Sequence, residues 1–121
     1  GICLHAIGDL SKLPKDVLET LQATKEATAK GDKINLVLAV NYGARDELKR
    51  AVVKMLRECE EKKIDPNAVT EEMIASHLDT SIFGDPELLI RTSGEHRVSN
   101  FLLWQICYTE LYITNVLWPA F

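Results

Sequence analysis

Ile34-Asn35-Leu36-Val37-Leu38-Ala39-Val40 runs unbroken into Asn41-Tyr42-Gly43-Ala44-Arg45. The first seven residues are nearly all apolar and lack the in–out alternation of a half-buried strand. Such a run suits a strand buried on both faces of a parallel sheet. Ligands of open parallel sheets sit beyond the carboxyl ends of the strands, and this strand delivers an Asn, a Gly and an Arg to that end.

Working outward, the flanks alternate helix and strand. Upstream, Ile2-Cys3-Leu4-His5-Ala6-Ile7 reads as a strand and Gly8-Asp9 as a turn. A helix follows, with Ser11 as its cap, Pro14 in its first turn and Gly31 as its stop. Downstream, Leu48, Val52, Met55, Leu56 and Cys59 recur at three- and four-residue steps. Lys49, Arg50, Lys54, Glu58, Glu61 and Lys62 fill the other, solvated face of that amphipathic helix, which ends before Asp65-Pro66. Thr70 caps a short helix with Glu71 and Glu72 at its positive end, and Val69 with Ile74 has staple spacing. Glu87–Arg91 reads as a strand, Ser99 as the cap of a helix through Phe101–Ile106, and Glu110–Thr114 as a returning strand. Strand–helix alternation implies an α/β fold with a mostly parallel sheet flanked by helices.

The 121 residues suffice for one small domain, with 46% hydrophobic and 26% charged residues. The net charge is −4, from 18 acidic and 14 basic side chains. No basic stripe marks a nucleic-acid binder, so none is expected as a partner. Cys3, Cys59 and Cys107 are an odd, scattered set, read as reduced core thiols of a cytoplasmic or organelle-matrix protein. Cys3-x-His5 has no second ligand pair to make a metal site. No apolar stretch reaches the ~18 residues that span a bilayer. The chain opens on a strand already under way and closes on Leu117-Trp118-Pro119-Ala120-Phe121, so it reads as a piece of a longer protein.

Arg91-Thr92-Ser93-Gly94-Glu95-His96-Arg97-Val98-Ser99-Asn100 packs two arginines, a histidine, two serines, a threonine and a glycine behind a strand. Arginine is the side chain best shaped to clamp phosphate oxygens in pairs. Gly94 lets the backbone approach a ligand, and Ser99 is expected at a helix start, where free N–H groups attract anions. From the residues alone, a diphosphate site and a structural ion network are equally good readings. Glu110 is either a Mg²⁺ carboxylate or an exposed strand-end acid. His96 has no orienting acid to make a nucleophilic pair with Ser93. Trp104, Tyr108, Tyr112 and Trp118 read as core and interface aromatics.

Asp85-Pro86-Glu87-Leu88-Leu89-Ile90-Arg91-Thr92-Ser93-Gly94-Glu95-His96-Arg97-Val98-Ser99-Asn100-Phe101-Leu102-Leu103-Trp104-Gln105 closely resembles the signature of the cis-prenyltransferases, the undecaprenyl diphosphate synthase family. Tyr108-Thr109-Glu110-Leu111-Tyr112, Leu117-Trp118-Pro119, Ile7-Gly8-Asp9 and Asn41–Arg45 continue the resemblance over the whole chain. It implies that residues 1–121 are the C-terminal portion of a single domain of that fold. It also implies an enzyme condensing isopentenyl diphosphate onto an allylic polyprenyl diphosphate, with Mg²⁺ as cofactor. Arg91, Gly94, Arg97 and Ser99 would then bind isopentenyl diphosphate, with Glu110 and His96 tied to the metal. The resemblance implies a homodimer, or a heteromer with a related subunit, and peripheral membrane association through a lipid product in the cytoplasm, a plastid or at the ER.

Departures from the pattern are specific. The family's His-x-x-Asp-Gly-Asn-type loop with its catalytic Asp is missing, so no catalytic residue is assigned here and the 121-residue piece alone is expected to be inactive. Ala44 stands where a second glycine is common and Ala120 where an acid is common, and no basic tail follows Phe121. The alternative is a non-catalytic accessory subunit of a heteromeric enzyme. Retention of Arg91, Gly94, Arg97, Ser99 and Glu110 argues for the enzyme.

Overall fold

Strands β1 (Ile2–Ile7) and β2 (Ile34–Ala39) run parallel, with Ile2 opposite Ile34 and Ile7 opposite Ala39. The computed structural model describes all residues, 1–121, as two units, 1–42 and 43–121.

In the first unit, helix α1 (Lys15–Ala27) connects the two strands. Asp9 N–H donates to the Asn41 carbonyl at 3.1 Å, and Asn41 Nδ2 donates back to the Asp9 carbonyl at 3.0 Å. These bonds tie the segments leaving the two strands. Gly8 has φ +117, and a Cβ there would lie 2.0 Å from the Val40 carbonyl oxygen, so no larger residue fits.

Three expectations for this unit are corrected. Ser11 lies in a single 3-10 turn, Leu10–Lys12, capped by the Asp9 carboxylate; Pro14 precedes α1, which starts at Lys15 with no side-chain cap. α1 also stops at Ala27, before Gly31, whose missing Cβ instead admits the Ile2 carbonyl. The parallel strand at 34–39 forms as expected, but its two-faced burial does not. Ile34, Leu36 and Leu38 are 60%, 45% and 41% exposed. β2 has one ladder partner, and these side chains stay partly exposed.

The second unit holds α2 (Ala44–Lys62), α3 (Glu71–Ser76) and a second parallel pair, β3 (Leu88–Arg91) with β4 (Glu110–Ile113). Asp46 and Glu47 in its first turn suit the positive end of α2. Ala44 and Ala51, each 1% exposed, mark where it packs tightly. Lys63, at φ +52, turns the chain out of the helix. Thr70 caps α3 as expected, its Oγ1 accepting from Met73 N–H at 3.1 Å. His77, just after α3, sits 2.6 Å from Glu58 Oε2 of α2.

The helix expected through Phe101–Ile106 is absent. Ser99, Asn100 and Leu102 have φ of +54, +62 and +45, which a right-handed helix excludes, and residues 103–108 form a run of turns instead. The thiols are free but not core: Cys3 and Cys59 are half-buried and Cys107 is exposed. Of the aromatics read as core and interface residues, Tyr108 and Trp118 are 97% and 71% exposed in this chain. Both units are α/β, with parallel strands and flanking helices.

Candidate functional site

The polar loop 91–100 leaves the C-terminal end of β3, where Arg91 stands opposite Ile113. Backbone bonds hold it against 114–116. Ser93 N–H donates to the Val116 carbonyl at 2.9 Å, and Gly94 N–H donates to the Thr114 carbonyl at 2.9 Å. Ser93 and Gly94 both take positive φ, +65 and +72. A Cβ on Gly94 would also approach Asn115 Oδ1 to 3.0 Å. Conformation and space therefore both call for glycine at the bend.

Beyond the bend, Arg91, His96 and Arg97 line one small cleft of about 20 Å³ together with Leu89, Val98, Leu111 and Ile113. Arg97 is 74% exposed and pairs with Glu95 at 3.3 Å. An exposed pair of this kind is weak, on the order of 0–1 kcal/mol.

Ser99 and Glu110 do not line this cleft. Ser99 is exposed, two residues after Arg97, but in left-handed backbone rather than at a helix start. The expected anion-binding helix N-terminus at Ser99 is thus withdrawn, because the helix it required does not form. Glu110 is exposed and opens β4 opposite Leu88, about 10 Å along the ladder from Arg91. No three His, Cys, Asp or Glu side chains group to hold a metal ion. Glu110 offers the hard oxygen that Mg²⁺ prefers, so one carboxylate position fits; the His96 nitrogen is a poorer ligand for it.

Sequence reasoning missed a polar cluster beneath α2. Glu47 is 1% exposed: Oε2 accepts from Asp79 N–H at 2.8 Å, and Oε1 accepts from Gln105 Nε2 at 3.0 Å. Gln105, 2% exposed, also donates to Thr80 Oγ1 at 3.0 Å, while its Oε1 has no partner. Arg50, expected on a solvated face, grips Asp79 through two bonds of 2.7 and 2.8 Å and donates to Asp46 at 2.8 Å. Its hydrogen bonds to Asp79 push its pKa further above the ordinary guanidinium value, against the opposing effect of burial; Asp46 adds to the rise. The signal was readable: Glu47 falls on the stripe of Ala44, Leu48, Ala51 and Met55, where a solvated acid does not belong.

No helix is long and apolar enough to cross a membrane. The family model described as putative undecaprenyl diphosphate synthase matches residues 1–121. The isoprenyl transferase of Chlamydia trachomatis is 54% identical over 120 residues, covering 99% of this chain and 47% of that protein. That of Agrobacterium fabrum is 47% identical over 121 residues, covering 100% and 49%. Among solved structures, the lavandulyl diphosphate synthase of Lavandula x intermedia, in complex with dimethylallyl diphosphate, matches with a TM-score of 0.95. It is 36% identical, over 99% of this chain and 52% of that one. A probable undecaprenyl diphosphate synthase from Campylobacter jejuni matches with a TM-score of 0.84 at 38% identity, over 99% and 53%. The chain spans about half the length of the curated relatives it matches. By full-length match of the family model and by fold, the chain belongs to the prenyltransferase family of undecaprenyl diphosphate synthase.

Proposed function

We propose that the protein carrying this chain is a cis-prenyltransferase that condenses isopentenyl diphosphate onto an allylic diphosphate, and that this half holds the isopentenyl diphosphate. The observation that carries the reading is that Arg91, His96 and Arg97 line one small cleft beside Leu89, Leu111 and Ile113. Each guanidinium matches a pair of phosphate oxygens. His96 lines the same cleft, Ser99 follows Arg97 by two residues, and Gly94 sits at the bend between the two arginines.

In the reaction, the allylic C–O bond breaks and its electron pair leaves on diphosphate. The double bond of isopentenyl diphosphate forms the new C–C bond, and loss of a proton leaves a cis double bond. This chain's residues orient the attacking alkene by holding its diphosphate and keep that diphosphate's charge compensated. Bound Mg²⁺ would neutralise charge on the phosphates, with Glu110 as the carboxylate this chain offers it.

Chain elongation by the full-length protein, with labelled isopentenyl diphosphate, farnesyl diphosphate and Mg²⁺, tests the reading. A Mg²⁺-dependent ladder of cis-polyprenyl products is expected. No product from well-folded protein, under conditions where a known relative elongates, overturns it.

A further inference from the structure

Helix α2 begins without a cap of its own. Gly43, the residue before it, is extended (φ −147, ψ 135) and has no side chain to accept a bond. The first amides are satisfied from far along the chain instead. The Asn100 carbonyl accepts from Ala44 N–H at 2.8 Å, and Asn100 Oδ1 accepts from Arg45 N–H at 2.9 Å, across 55 residues of sequence. One residue thus supplies two acceptors to the two leading N–H groups of a 19-residue helix.

The device has a second half. A Cβ on Gly43 would lie 2.8 Å from Asn100 Nδ2, and within 4 Å it would meet Asn100 alone. The backbone at 43 is one any residue adopts, so a larger residue there would act by pushing the Asn100 side chain off its bond to Arg45. Asn100 itself stands at φ +62, where asparagine is among the most tolerant side chains; its neighbours Ser99 at +54 and Leu102 at +45 are not favoured there. Something must hold that strained turn in place, and the two bonds to α2 are positioned to do so.

We propose that Asn100 is a positioning residue: by capping α2 from the end of the arginine loop, it fixes the Arg97–Ser99 end of that loop against the start of α2, in the arrangement that takes isopentenyl diphosphate. The inference rests on the substrate reading above. In the full-length protein, Asn100→Gly keeps the left-handed backbone easy and removes only the side-chain acceptor. Gly43→Ala reaches the same contact from the other side. Each should raise KM for isopentenyl diphosphate by roughly fivefold or more, the scale of one lost cap, with the allylic KM unchanged. Because both act on one contact, the double variant should be no worse than Asn100→Gly alone. Additive losses, or equal changes in both KM values, overturn the proposal. Amide hydrogen exchange at Arg45 reads the cap without turnover and should accelerate in Asn100→Gly. An unchanged Arg45 rate sinks the cap even if activity falls. If the wild-type protein makes no product while Arg45 exchange still accelerates, the substrate assignment fails and the cap stands.

Discussion

Arg97 shows how little of a binding residue's worth is visible in its resting contacts. Its pair with Glu95 is exposed and weak, whereas a bond to a diphosphate is charge-assisted on both sides. Arg97→Ala in the full-length protein should therefore raise KM for isopentenyl diphosphate by about 10- to 100-fold, equivalent to roughly 1.5–3 kcal/mol, and leave the allylic substrate nearly untouched. Steady-state kinetics varying each substrate in turn checks this, and equal losses for both would count against the cleft. Glu47 and Arg50 behave oppositely, because their contacts are already made. Gln105→Leu strips a donor from the buried Glu47 carboxylate and should destabilise the protein by about 1–3 kcal/mol in denaturant titration, with KM unchanged. For Arg50 the folded-state pKa is raised above its already high unfolded value, so its contribution is complete through the neutral range and is lost only at strongly alkaline pH. The stability gap between wild type and Arg50→Ala should accordingly be flat between about pH 6 and about pH 9.

At the scale of elements, α2 and α3 were legible because local rules decide them: an apolar stripe at helical steps and a threonine cap. Thr70→Ala should cost about 1 kcal/mol in the same titration, since it removes the acceptor for Met73 N–H. The segment after Ser99 was misread for a reason that is equally physical. Phe101-Leu102-Leu103-Trp104-Gln105-Ile106 behind a serine has the look of a capped buried helix. Asn100 instead turns its carbonyl to Ala44, a bond no local pattern encodes. Strand positions were likewise readable from apolar runs, but burial was not, because a strand's sequence does not say whether a layer covers it. In the site, the sequence placed Arg91, His96 and Arg97 in one loop. It could not show that Glu110 stands at the other end of the β3–β4 ladder, since that depends on register.

For the whole molecule, the exposed apolar surface is the dominant fact. Ile34, Leu36 and Leu38 in the first unit, and Leu88, Ile90, Leu111 and Ile113 in the second, are each 39–60% exposed. Parallel strands with uncovered faces and free edges associate with whatever apolar surface or strand they meet. The 121-residue chain expressed alone should self-associate in light scattering at micromolar concentration, whereas the full-length protein should stay monodisperse. It should also fail to elongate any allylic diphosphate, and turnover by the purified piece would refute that.

The bond from Asn100 to Arg45 has a temporal side as well. It spans 55 residues, so at about 5–20 residues per second a ribosome adds the acceptor roughly 3–11 seconds after the donor. Throughout that interval the leading turn of α2 is frayed on the nascent chain, and closing so long a loop has its own entropic barrier. Completion of the helix start is therefore a late step in biosynthesis, coupled to the arrival of the arginine loop.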